Sequence, residues 1–304
     1  MEQLISKIKK MQNPTVAGLD PKLSYIPSHI LDNVYKNFGK TPEAVTEALC
    51  RFNFGLIDAL SDIVPAVKPQ MAYYEMYGLA GLVALKKTMD YAKSKGMYII
   101  LDGKRNDIGS TAESYAEAYL GKSVIDDTAS YHDFDADSLT VNAYLGTDGI
   151  MPFVKKCKEN GKGIFCLVKT SNPSSGELQD LNTCDAKIYE KMAELVNKWG
   201  EETIGESGYS AVGAVVGATY PEQAEKLRKI MPKAYFLVPG YGAQGGTAKD
   251  VAKSFNSDGL GAIVNSSRGI MCAYQKKGLP GEAFKDAARE EAILMRDAIM
   301  NEIK

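Results

Sequence analysis

Short apolar runs rich in β-branched residues recur along the chain at 16–20, 66–70, 98–104, 138–143, 163–170, 211–218, 235–239 and 261–266. Between them lie segments whose apolar residues return at helical spacing. Over 43–63, Val45, Ala48, Leu49, Phe52, Leu56 and Leu60 fall near one face, and 186–203, 221–231, 247–256 and 281–304 behave alike. Pro221 suits the first turn of its helix. Continuous apolar strands alternating with amphipathic helices imply a parallel sheet covered by helices. Eight such units predict an α/β chain closed into a (β/α)₈ (TIM) barrel, for which about 250 residues is typical. A doubly wound open sheet is the alternative. Three longer stretches read as insertions: 21–42 after the first strand, 120–137 before the fourth and 174–184 after the fifth. No glycine- or proline-rich linker divides the chain, so residues 1–304 are expected to form a single domain.

Charge and cysteine usage narrow the function classes. With 36 basic and 38 acidic residues the net charge is −2, so no nucleic-acid surface is expected. The N-terminal Met1–Lys7 stretch is amphipathic and lacks the apolar core of a signal peptide, and no apolar run is long enough to span a bilayer. The five cysteines, Cys50, Cys157, Cys166, Cys184 and Cys272, are scattered and never spaced as Cys-x-x-Cys. That pattern predicts reduced thiols in a cytoplasmic protein, with neither a disulfide framework nor a zinc site. The two histidines, His29 and His132, lie far apart, which argues against histidine-based catalysis or metal binding.

Candidate chemistry concentrates where strands end. Residues 102–107 read Asp-Gly-Lys-Arg-Asn-Asp and follow the apolar run Tyr98-Ile99-Ile100-Leu101. Strand side chains alternate faces, so Asp102 and Lys104 leave the strand end on one face, and Asp107 can approach from the following loop. In a barrel the active site lies at the C-terminal ends of the strands. Those ends carry Asp20, Lys68 with Gln70, Asp102 with Lys104, Asn142, Lys169 to Asn172, Thr219, Pro239-Gly240 and Asn265 to Arg268. Adjacent second and third strands would bring Lys68 beside Asp102. An alternating row of Lys68, Asp102, Lys104 and Asp107 is held in place only as a set, since removing one member leaves an uncompensated charge. After the seventh strand comes Pro239-Gly-Tyr-Gly-Ala-Gln244-Gly-Gly. It matches G-x-G-x-x-G formally, but on the wrong strand for a dinucleotide fold. A single phosphate held by backbone N–H groups, a helix N-terminus and Arg268 fits better.

The segment Asp102-Gly-Lys104-Arg-Asn-Asp107-Ile108-Gly-Ser-Thr111 resembles the D-x-K-x-x-D-I-x-x-T signature of the orotidine 5′-phosphate decarboxylase family. The likeness extends through Gly18-Leu19-Asp20-Pro21, Val67-Lys68-Pro69, Val168-Lys169-Thr170-Ser171-Asn172-Pro173, the Gln244 loop and Ser267-Arg268-Gly269. The Lys-Thr-Ser-Asn-Pro segment and the added length are similar to the longer branch of that family. The resemblance implies decarboxylation of orotidine 5′-phosphate to uridine 5′-phosphate in pyrimidine biosynthesis, without cofactor or metal. It implies a catalytic network of Lys68, Asp102, Lys104 and Asp107, with Lys104 as proton donor to the C6 carbanion. Asp20 and Thr111 would hold the ribose. Ser171 and Pro239 would meet the pyrimidine, while Gln244 and Arg268 would hold the phosphate. It also implies a homodimer with shared active sites, in which Asp107 and Thr111 enter the neighbouring subunit's site.

Two other readings fit parts of the pattern. A class I aldolase would use Lys169 as a Schiff-base nucleophile. A non-catalytic phosphate-ligand-binding barrel would keep the Arg268 grip without needing the charge row.

Overall fold

The computed structural model describes residues 1–242 and 245–303. Eight parallel strands close on themselves: β1 (Thr15–Leu19), β2 (Ala66–Pro69), β3 (Tyr98–Arg105), β4 (Ser138–Val141), β5 (Gly163–Lys169), β6 (Val212–Val216), β7 (Phe236–Val238) and β8 (Ala262–Ser266). β1 pairs with both β2 and β8, which rules out the open sheet. A helix follows each strand in turn: α1 (Pro42–Leu60), α2 (Gly78–Ser94), α3 (Gly109–Leu120), α4 (Thr147–Asn160), α5 (Ile188–Gly200), α6 (Pro221–Ile230), α7 (Ala248–Ala252) and α8 (Phe284–Glu302).

The continuous apolar runs have a simple cause, because every strand is buried on both faces. Ala17, Leu19, Val67, Ile99, Leu101, Leu139 and Val141 pack outward against helical residues such as Leu49, Phe52 and Leu56. Val16, Ala66, Tyr98, Ile100, Phe165, Tyr235 and Ile263 point inward. The inward set is plugged at the N-terminal end by Leu4, Ile5 and Ile8 of a leading helix, Glu2–Met11. α1 starts where the sequence directs it: the Thr41 hydroxyl accepts from the Ala44 N–H at 3.3 Å, with Pro42 in the first turn.

Some boundaries differ from the sequence pattern. The helix expected over 247–256 contracts to Ala248–Ala252, and α8 begins only after the single tight turn Gly281–Ala283. The helical spacing also misses α2, α3 and α4. In α2 the outward residues Leu79 and Val83 are exposed although apolar, and α4 contains Pro152. Of the insertions, 21–42 folds as a turn (Leu23–Tyr25) and a helix (Ser28–Phe38), and 174–184 contributes the short helix Gly176–Gln179. The 120–137 stretch forms a small antiparallel hairpin of Ser123–Val124 and Ser130–Tyr131. Among the described residues no helix is long and apolar enough to cross a membrane.

Two strands lose register near their C-terminal ends, and both irregularities bear on function. Leu101 pairs with Leu139 and Arg105 with Val141, so three β3 residues, Asp102, Gly103 and Lys104, face one β4 residue, Thr140. Between Leu167 and Lys169, β5 carries one residue more than β6. Such bulges re-aim side chains.

Candidate active site

At the C-terminal mouth of the barrel lies a cavity of about 760 Å³. Asp102 stands at its base. The carboxylate Oδ2 accepts from Lys68 Nζ and from Gln70 Nε2, both at 2.8 Å. Oδ1 accepts from Lys104 Nζ at 2.6 Å and from the Thr140 hydroxyl at 2.8 Å. Lys68 also lies 4.0 Å from Asp20 Oδ1. The β2–β3 neighbourhood and the period-two alternation together put these groups on one inward face, as the sequence predicts.

Burial separates the roles of the two lysines. The side chains of Lys68 and Asp102 are 5% and 9% exposed, whereas Lys104 is 45% exposed. Lys68 is therefore a fixed inner charge, and Lys104 presents its ammonium to the cavity. Desolvation alone would raise the Asp102 carboxyl, but Lys68 and then Lys104 overcome it and hold the group well below the usual carboxylate range. For Lys68, desolvation opposes the charge, yet Asp102 and Asp20 outweigh it and push the ammonium up. At ~4 Å and an effective dielectric of ~20, one such contact has roughly 4 kcal/mol of Coulomb attraction. Deleting one partner of a buried pair costs about 3–5 kcal/mol, mostly from the charge left behind. Lys104 adopts a left-handed backbone, φ 48°, a conformation that costs about 1–3 kcal/mol outside glycine.

The opposite wall is built by the loops after β7 and β8. Gly240, Gly242 and Gly245 have φ of 99°, 68° and 93°, which only glycine adopts freely. The N–H groups of Gly242, Gly245 and Gly246 donate to carbonyls within the loop. The first turn of α7 is closed by a reciprocal Thr247–Asp250 capping box. Those backbone donors are thus engaged, which departs from the expected cradle of free N–H groups. Arg268 is exposed at the cavity rim just after β8 and is in no ion pair among the described residues. Gly18 permits this wall: a Cβ there would lie 1.9 Å from the Ser267 hydroxyl. Gln244 lies outside the described residues.

Asp20, Ser171 and Pro239 line the cavity as expected. Asp20 Oδ1 is buried and accepts no hydrogen bond among the described residues, with the Lys68 ammonium 4.0 Å away. Five of the candidate residues lie off the cavity wall of the single chain. Asp107 does not join the charge row; its carboxylate accepts from the Ile108 N–H at 2.8 Å and makes no ion pair among the described residues. Thr111 is exposed in the first turn of α3, outside the described cavity lining. Asn142 accepts from the Tyr144 N–H at 3.1 Å, and Thr219 sits behind Ser171. Lys169 is fully buried, held by Asp180 at 2.9 Å and Ser175 at 3.2 Å with Tyr220 under its ammonium. The β5 irregularity accompanies this redirection, and a buried, ion-paired lysine off the cavity wall counts against the aldolase reading.

Other lining residues escaped the sequence reading. Thr140 was legible in principle, as a polar residue at an inward position of an apolar strand. Gln179 was not: it reaches back from the 174–184 insertion and brackets Thr170, accepting from its N–H at 3.0 Å and donating to its hydroxyl at 2.8 Å. Lys22 lies over the rings of Tyr25 and Tyr73 at the rim. Among the described residues no cluster of three or more His, Cys, Asp or Glu is placed to hold a metal ion.

Known proteins resemble this chain over nearly its whole length. The model for the orotidine 5′-phosphate decarboxylase / HUMPS family matches residues 46–279. An orotidine 5′-phosphate decarboxylase of Rhodopirellula baltica is 44% identical over 301 residues, covering 98% of this chain and 97% of that one. One from Clostridium novyi is 40% identical over 303 residues, with 99% of each covered. The fold matches the Leishmania donovani OMP decarboxylase structure with a TM-score of 0.71 and 27% identity, covering 98% of both chains.

Proposed function

Because the chain belongs to the orotidine 5′-phosphate decarboxylase / HUMPS family, we propose that it decarboxylates orotidine 5′-phosphate to uridine 5′-phosphate as a step of pyrimidine biosynthesis. The observation that supports this most is the Asp102 carboxylate bridging two ammonium groups, Lys68 and Lys104, at 2.8 and 2.6 Å. A non-catalytic phosphate binder has no use for that arrangement.

Loss of CO₂ from C6 of the pyrimidine leaves an electron pair that the ring π-system does not delocalise. The site has to stabilise that charge and then deliver a proton. Lys104 Nζ does both: it is first a fixed cation facing C6 as CO₂ departs and leaves the electron pair of the C–C bond on that carbon, and it then transfers one of its protons to that carbanion. Asp102 and Lys68 hold Lys104 in place, so the charge distribution is set before substrate arrives. Arg268 and Gln244 grip the phosphate, which is remote from C6, and that binding energy is realised at the transition state. Asp20 accepts from a ribose hydroxyl, while Ser171 and Pro239 border the pyrimidine. No cofactor or metal ion enters this scheme.

Asp107 and Thr111 complete the network and the ribose contacts from a partner subunit, in a homodimer with shared sites. Their outward position in the isolated chain supports this reading. Residues 1–304 act as one domain, with 21–42, 120–137 and 174–184 as insertions. The five unpaired cysteines fit a reducing, cytoplasmic setting.

Turnover of orotidine 5′-phosphate, followed by ultraviolet absorbance after prolonged EDTA treatment, tests the proposal. Full activity is expected. Activity that appears only when Mg²⁺ is added back would move the chain toward metal-dependent sugar-phosphate chemistry.

A further inference from the structure

Where β3 bulges against β4, Thr140 alone faces the Asp102-Gly103-Lys104 stretch. Its neighbours Leu139 and Val141 pack outward into the helical layer, so the threonine side chain is inward and buried. Its hydroxyl donates to Asp102 Oδ1 at 2.8 Å and accepts from the Lys104 backbone N–H at 3.0 Å. Neither partner leaves a choice of orientation, because an ionised carboxylate only accepts and a backbone N–H only donates. The hydroxyl also replaces a ladder hydrogen bond that the bulge removes from Lys104, at the residue with the left-handed backbone. With Lys68, Gln70 and Lys104, it brings the donors on Asp102 to four, two on each oxygen.

We infer that Thr140 is a positioning residue for decarboxylation: its hydroxyl ties the Asp102 carboxylate to the Lys104 backbone and so fixes the proton donor against C6. This rests on the reaction proposed above. The Thr140 hydroxyl is engaged by Asp102 and the Lys104 N–H, so its loss is expected to act on the chemical step and to leave nucleotide binding intact. A reacting group displaced by ~1 Å can lose on the order of 10²-fold in rate.

The test compares Thr140→Val, which keeps the shape and removes the hydroxyl, with Thr140→Ser, which keeps the hydroxyl. Ser138→Ala, on the same inward face two residues earlier, is the control. Expected for Thr140→Val is a kcat lowered by roughly 10–100-fold, with KM and uridine 5′-phosphate affinity within about twofold of wild type. Thr140→Ser should recover most of the rate, and Ser138→Ala should match wild type. A Thr140→Val enzyme with wild-type kcat overturns the inference. So does a Thr140→Ser enzyme as slow as Thr140→Val, or a Ser138→Ala enzyme slowed equally. A wild type unable to decarboxylate would instead overturn the assigned reaction. The crystal structure of Thr140→Val then still decides the positioning, which is refuted if the Lys104–Asp102 contact is unchanged.

Discussion

At the scale of single residues, the site is a carboxylate made to stay charged. Asp102 is held below the usual carboxylate range, so its stabilising contribution is complete above about pH 4 and is lost only as pH falls through its depressed folded value. Lys68 is pushed up, so its contribution is complete below about pH 10 and is lost as pH rises through its raised value. Neither group titrates in the intervening window. Initial rates at saturating orotidine 5′-phosphate should therefore show no Asp102 or Lys68 limb from about pH 5 to 9. kcat/KM can still bend near pH ~6, where a phosphate monoester takes up its second proton. An acid limb in kcat itself that tracks Asp102 substitution would contradict the charge assignment. The inner part of this set was legible because strand alternation is local: Lys68 and Gln70, or Asp102 and Lys104, share a face whatever surrounds them.

Elements bring in what local alternation does not encode. The bulge in β3 and the extra residue in β5 are register properties of paired strands, invisible until the neighbour is known. They set Thr140 alone opposite Asp102, Gly103 and Lys104, and they accompany the turn of Lys169, a strand-end polar residue by sequence, away to Asp180. The Lys169–Asp180 contact pins the 174–184 insertion, from which Gln179 brackets Thr170 beside Ser171. The pair is asymmetric, since Lys169 is fully buried while Asp180 is 29% exposed. Asp180→Ala strands a buried ammonium and should cost about 3–5 kcal/mol. Lys169→Met leaves a carboxylate that reaches water and should cost clearly less. Urea midpoints at constant slope measure both. Equal losses, or a worse Lys169→Met, would contradict the buried-charge account. The insertions were visible as long gaps between strands, but their function depends on chain-distant contacts that no periodicity reports.

For the whole molecule, the barrel and its single mouth were legible because strand–helix alternation repeats with little interruption. What lies beyond one chain was implied only by family resemblance. Asp107 and Thr111 lie outside the lining of their own cavity, in a segment whose exposed Ile108 shares a surface depression with exposed Met151. Lys104→Ala and Asp107→Asn proteins should each be nearly inactive, because a concerted set fails when one member is removed. Subunit exchange between them should restore activity, since each mixed dimer then has one site free of both lesions. Demonstrated exchange without recovered decarboxylation would place Asp107 in its own chain's site or outside catalysis. The central claim, that Asp102 and its two lysines form the decarboxylating centre, is tested most directly by the turnover of Asp102→Asn against wild type on orotidine 5′-phosphate, with uridine 5′-phosphate binding measured on the same samples. The account predicts a wild type that decarboxylates and an Asp102→Asn enzyme slower by on the order of 10³-fold or more that still binds the nucleotide. An Asp102→Asn enzyme that turns over at the wild-type rate would contradict it.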